Sequence, residues 1–134
     1  MKNNIQFPSK TENINIVEKL VDELTQQHQI NSEIYGNMLV SMVEAVNNAI
    51  IHGNKLDETK SVFIDYGLDN DMFWFCVKDE GKGFDFSNIP DPTSTENIEK
   101  PHGRGIFLIQ HLVDELKFED KGSKICIKIK IHPS

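Results

Sequence analysis

From Ile14 the apolar residues Ile14, Val17, Leu20, Val21 and Leu24 recur three and four positions apart. At ~100° per residue, that spacing keeps them on one side of a helix. A helix is therefore expected to run to about Gln29, with Thr11 or Asn13 as its N-cap. A second helix follows with the stripe Leu39, Met42, Val43, Val46 and Ile50, and Gly53 is placed to end it. Then the period changes. Residues 61 to 67 (SVFIDYG) and 72 to 78 (MFWFCVK) read as strands joined by the tight turn Leu68-Asp69-Asn70-Asp71. A short strand at 4 to 8 (NIQFP) ends at Pro8, and two more are expected at about 115 to 119 and 124 to 131, separated by Asp120-Lys121-Gly122. A third helix, GIFLIQHLVDEL, is predicted to start at Gly105.

The order β-α-α-β-β-α-β-β does not alternate strands and helices singly, which disfavours a doubly wound parallel sheet. It predicts an α+β fold, a two-layer sandwich with a mainly antiparallel sheet covered on one face by about three helices. From Asp79 to His102 the chain turns polar and irregular, with three prolines in NIPDPTSTENIEKPHG. A stretch that long inside a compact domain is usually a functional lid or a disordered segment, and a flexible lid is expected at about 86 to 104. No internal repeat is present.

Length and charge narrow the function classes. With 134 residues there is room for one core, so residues 1 to 134 are expected to form a single domain. The net charge of −7 argues against a nucleic-acid partner, because phosphate-backbone binding depends on Lys and Arg. It does not forbid a nucleotide, whose phosphates backbone amides and a metal ion can take. No segment approaches the ~20 apolar residues of a membrane span, so the protein is expected in the cytoplasm, with no membrane partner. Cys76 and Cys126 lie in apolar strand-like runs without CxxC spacing, and are expected to be buried free thiols.

Three stretches carry candidate chemistry. In EAVNNAIIHGN, Glu44 and Asn48 are four residues apart, and so share a helix face roughly opposite the apolar stripe. A solvated polar face accounts for such a pair on its own. Asn47-Asn48 is poor mid-helix chemistry, however, and a carboxylate beside an amide oxygen can order a hydroxyl and coordinate Mg²⁺. In DEGKGFD, Gly81 and Gly83 let the backbone approach a ligand closely, and Asp79 can accept a hydrogen bond from an exocyclic amine such as adenine's. Ordinary tight turns have the same composition. In HGRGIFLI a glycine-containing turn opens a helix whose free amides suit phosphate, with Arg104 adding charge. The pattern is neither the Walker nor the Rossmann fingerprint, which disfavours both of those nucleotide folds.

Taken in order, ExxxN at Glu44 and Asn48, DxGxG at Asp79, Gly81 and Gly83, GxG at Gly103 and Gly105, and Gly122-Ser123 resemble the GHKL ATPase superfamily over about residues 5 to 131. The short length and the phrase EAVNNAIIHGN look most like the bacterial anti-sigma-factor serine/threonine kinases. The resemblance implies a Bergerat-type fold binding ATP and Mg²⁺. Glu44 would be the general base, Asn48 the Mg²⁺ ligand and Asp79 the adenine reader. Gly81, Gly83, Gly103 and Gly105 would let the lid wrap the phosphates, and Ser123 would support adenine through its hydroxyl or a bridging water.

In that family the phosphoryl group goes to a serine of an anti-sigma-factor antagonist, and the kinase also sequesters a sigma factor. The resemblance extends to a homodimer formed through the sheet or the first helix. Several relatives carry an arginine two residues before the GxG, where this chain has Pro101 preceded by Lys100. Lys100 and Arg104 are the available substitutes, although a point charge and a bidentate fork are not equivalent. His52, Asn54 and Lys55 lie where the second helix ends and are read as structural or peripheral, with phosphate contact a minor alternative. The alternatives to a kinase are a non-catalytic, ATP-gated partner-binding module and a detached histidine-kinase-like domain. No helix bearing a phospho-accepting histidine precedes the site to favour the latter.

Overall fold

The computed structural model describes residues 2–82 and 101–131. The chain enters as strand β1 (Lys2–Pro8), which ends where proline can no longer donate to a ladder. Helix α1 (Ile14–His28) buries Val17, Val21 and Leu24 and closes on Gln29 in a left-handed conformation, φ 53°. Of the two expected N-caps, Asn13 stands at the N-cap position and Thr11 lies in the preceding 3-10 turn. Asn13 makes no side-chain cap bond and instead donates from Nδ2 to the Pro8 carbonyl at 2.8 Å, tying the helix entry to the end of β1.

Helix α2 (Ser32–Asn47) is capped by Asn31, whose side chain accepts from the Ile34 amide at 2.9 Å. It does not stop as a plain α-helix. Asn48–Gly53 widens into a π-helical turn, in which the Asn54 amide reaches the Ala49 carbonyl at 2.8 Å. Such turns recur at functional sites because they displace side chains from the regular helical path.

Strands β2 (Ser61–Asp69) and β3 (Met72–Lys78) form the expected hairpin, with Asn70 at φ 58°. Helix α3 spans Pro101–Leu112 rather than starting at Gly105. The fixed φ of proline suits the first helical position, so the glycines there lie inside the helix and not in a turn before it. Strand β4 (Glu115–Glu119) and strand β5 (Lys124–Lys130) finish the sheet.

All four strand pairings are antiparallel, in the order β1-β2-β3-β5-β4. Alternation decides which side is covered. Phe73, Phe75 and Val77 of β3 and Ile125, Ile127 and Ile129 of β5 point into the core with Val62 and Ile64 of β2. Met38, Met42, Ala45, Val46, Ala49 and Ile50 meet them from the α2 side, and Ile109 from α3. The α2 stripe is thus turned slightly from expectation, since Leu39 and Val43 are only partly buried at its edge. This is the α+β sandwich the element order predicts.

The same alternation places Cys76 and Cys126 on the other face of the sheet, directly opposite each other in the β3–β5 register with Cα atoms 4.1 Å apart. They are disulfide-bonded, which overturns the reading as free thiols. Two residues 50 positions apart become neighbours only through strand register, which separate apolar runs do not disclose.

Candidate functional site

The site is assembled where α2 runs out beside the end of β3. Glu44 and Asn48 are both half-buried, so their shared face is not the solvated one that a lone amphipathic helix would present. Helix α3 packs against it, close enough that a Cβ added at Gly105 would lie 3.0 Å from Glu44 Oε2. A larger residue at 105 would crowd the carboxylate. One turn along, Asn48 Oδ1 is buried without a hydrogen-bond partner among the described residues. An orphaned amide oxygen in such a place costs free energy unless something supplies positive charge or a donor. That chemistry fits an oxygen-preferring dication such as Mg²⁺. Among the described residues no group of three or more His, Cys, Asp or Glu is gathered to hold a metal.

Asp79 follows β3 directly and is only 7% exposed. Its backbone N–H donates to the Ser123 carbonyl at 2.9 Å, continuing the β3–β5 ladder by one residue. Its Oδ1 accepts from the Gly81 amide at 2.7 Å. Burial pushes its pKa above the ordinary carboxylate value, against the opposing pull of the Gly81 amide and of Lys60 and Lys78. The carboxyl also presses on the end of the π turn, for a Cβ at Gly53 would fall 2.1 Å from Asp79 Oδ2. Gly81 is equally constrained, with its missing Cβ 2.3 Å from the Gly53 carbonyl oxygen. Gly53 therefore joins the two halves of the site, ending the helical run that carries Asn48 and abutting Asp79.

Ser123 is buried beside Asp79, and its hydroxyl donates to the Asp120 carbonyl at 2.9 Å. That leaves the oxygen lone pairs available to a ligand. Lys78 pairs with Asp120 at 3.0 Å across the same corner. A cavity of about 510 Å³ opens here, lined by Phe63, Lys78, Asp79, Glu80, Gly81 and Ser123. Phe63, 36% exposed on the outward side of β2, was not singled out from the sequence. A large aromatic at an outward strand position was the available signal.

The other expected residues fare differently. Gly103 and Arg104 belong to the first turn of α3. Gly83 and Lys100 lie outside the described residues, as does the expected lid up to residue 100. His52 is half-buried in the π turn, and Lys55 is exposed with φ 54°; neither lines the cavity. Among the described residues no helix is long and apolar enough to cross a membrane.

Residues 7–129 match the family model described as the histidine kinase-like ATPase domain. The anti-sigma F factor of Clostridium perfringens is 31% identical over 137 residues, covering 98% of this chain and 97% of its own. The serine-protein kinase RsbW of Bacillus subtilis is 25% identical over 131 residues, covering 90% and 82%. A solved structure of the RsbU and RsbW domains of a Mycobacterium tuberculosis protein superposes with a TM-score of 0.65 at 14% identity, covering 96% of this chain and 31% of that one. That likeness is one of fold.

Proposed function

The chain belongs to the histidine kinase-like ATPase domain family, and from that premise we propose that it is an anti-sigma-factor serine kinase acting as one domain in the cytoplasm. It binds Mg-ATP between α2, the Asp79 corner and the start of α3. It transfers the γ-phosphoryl group to a serine of an anti-sigma-factor antagonist, and it sequesters a sigma factor. The relatives named anti-sigma F factor and serine-protein kinase support the two protein partners.

The observation that carries the reading is the buried Oδ1 of Asn48, without a hydrogen-bond partner among the described residues and one turn from Glu44, against which α3 packs. In this role Asn48 holds Mg²⁺, which supplies positive charge that offsets the negative charge of the transferring phosphoryl group. Glu44 accepts the proton of the attacking serine hydroxyl, with Gly105 leaving room for that approach. Asp79 reads the exocyclic amine of adenine, Ser123 supports the base from the neighbouring strand, and Gly81 keeps the backbone close. The amides of the first turn of α3, with Arg104, take the phosphates. Lys100 and Gly83 belong to the segment expected to close over them.

Titration of the purified chain with ATP, with and without Mg²⁺, tests binding. Mass spectrometry for phosphoserine on an added antagonist protein tests transfer. Wild type binds in a Mg²⁺-dependent way and Asn48→Ala does not, while Glu44→Ala keeps binding and loses transfer by about 10²–10⁴-fold. Transfer undiminished in Glu44→Ala would remove Glu44 from its role as base. A second reading, an ATP-gated partner-binding module without catalysis, is favoured by Pro101 opening α3 where relatives carry a lid arginine. It predicts Mg²⁺-dependent ATP binding with no phosphoserine formed even by wild type.

A further inference from the structure

The most heavily bonded buried polar side chain near the site is one that the chemistry above does not use. Asn54 follows the π turn and is 1% exposed. Its Nδ2 donates to Ser9 Oγ at 2.7 Å and to the Ser61 carbonyl at 2.9 Å, and its Oδ1 accepts from the Glu80 amide at 2.7 Å. One carboxamide thereby ties together the exit of β1, the entry of β2 and the exit of β3. Asparagine suits the position because its amide offers two donors and an acceptor within one short side chain.

The bond to Glu80 matters most, because it fixes the amide immediately after Asp79. From that anchored turn the Gly81 amide reaches back to Asp79 Oδ1. On the other side Gly53, the residue before Asn54, packs against the carboxylate so closely that an added Cβ would overlap Asp79 Oδ2. The Glu80 side chain adds a tie to the same strand entry, its Oε2 accepting from the Ser61 amide at 2.5 Å. The orientation of the Asp79 carboxylate is thus set by a turn whose fastening point is Asn54. Burial disfavours the ionised carboxyl, so a small loss of alignment is not readily restored by solvent.

We propose that Asn54 is a positioning residue for base recognition, holding the Asp79 turn so that the free carboxylate oxygen faces the exocyclic amine of adenine. The inference rests on the reading of Asp79 as the adenine contact. Asn54 touches neither nucleotide nor substrate in this scheme, and acts only through Asp79.

The test separates positioning from mere stability by comparing two nucleotides. The full chain is titrated with Mg-ATP and with Mg-purine riboside triphosphate, which lacks the amine, in wild type, Asn54→Ala and Asp79→Asn, with thermal melts run in parallel. Wild type should prefer ATP by about tenfold or more, the value of a hydrogen bond to a charged group. In Asn54→Ala the preference should fall to near one, while affinity for the analogue stays within about twofold, a difference too small to matter on this scale.

Equal weakening toward both nucleotides, or a preference that survives in Asn54→Ala, would overturn the proposal. A preference near one in wild type, or one retained in Asp79→Asn, would overturn the Asp79 reading itself and this inference with it. Should Asn54→Ala not fold, Asn54→Ser carries the same comparison, since its short side chain keeps a polar group near Ser9 but cannot span all three strands.

Discussion

Around Asp79 the polar groups are already engaged: its own amide with Ser123, its Oδ1 with the Gly81 amide, and the next amide with Asn54. Around Asn48, at the other end of the site, a buried side-chain oxygen has no partner among the described residues. The corner proposed to read the base is therefore preformed, held by the protein's own hydrogen bonds. The end proposed to take the phosphates leaves that oxygen without a partner among the described residues, which carries a cost unless a ligand supplies one. Substitutions that disturb the packing of the first corner should damage fold and binding together, whereas those at the second should separate them.

The sharpest break of that contrast is Gly81→Ala. The added methyl would overlap the Gly53 carbonyl oxygen, a backbone atom that cannot swing aside. We expect a destabilisation of about 1–3 kcal/mol from overpacking, together with loss of measurable ATP binding. A melting curve and a titration check both. An alanine tolerated without cost would mean the corner is not preformed.

Asp79→Asn should come next, and should affect binding without harming the fold. The Gly81 amide requires an acceptor on one side of the side chain, so the amide nitrogen of Asn is left on the other, where it meets the adenine amine donor to donor. Affinity for ATP should fall by about 1.5–3 kcal/mol, the value of a hydrogen bond to a charged group. Folding stability at neutral pH should hold or rise, because burial disfavours the native carboxylate.

At the end proposed to take the phosphates the effect on stability is opposite in sign to that of Gly81→Ala and is smaller. Asn48→Leu replaces an orphaned acceptor with an apolar group of similar volume. It should stabilise the nucleotide-free protein by about 1 kcal/mol while removing Mg²⁺-dependent ATP binding. A lowered melting temperature would show that Oδ1 has a partner after all, and the contrast between the two ends would fail.

How far the chain discloses this division depends on what sequence spacing can encode. That Glu44 and Asn48 share a face was legible because four residues along a helix return to one side, whereas Asp79 and Gly81 sit in a turn of ordinary composition and Ser123 stands out only through the resemblance. The hairpin and the sandwich followed from a change of period. In the sequence Asn54 reads only as a structural or peripheral residue at the helix end, since its importance lies in three partners that are 45, 7 and 26 residues away. The disulfide was missed because it depends on the register of β3 against β5. The covering of Glu44 by α3 was missed too, because the polar face looked outward until Gly105 was set against it.

The finest test of the preformed corner is its pH dependence. Burial raises the folded pKa of Asp79 above 3.8, so the native state binds its proton more readily than the unfolded chain. The sign follows directly: the stabilising contribution is complete below 3.8 and is lost as pH rises through the raised value, leaving the ionised carboxylate a net cost at neutral pH. In the proposed complex bound adenine shifts the balance the other way, because its amine donates more strongly to the carboxylate than to the neutral carboxyl and so lowers the pKa. Between the bound and free pKa values ATP binding should release up to one proton, and affinity should decline as pH falls. Dividing wild-type affinity by that of Asp79→Asn at each pH cancels the titration of the nucleotide phosphates. That ratio should slope upward with pH across the window and level off above it. A flat ratio would place the adenine amine on some other acceptor and leave the Asp79 corner a purely structural device.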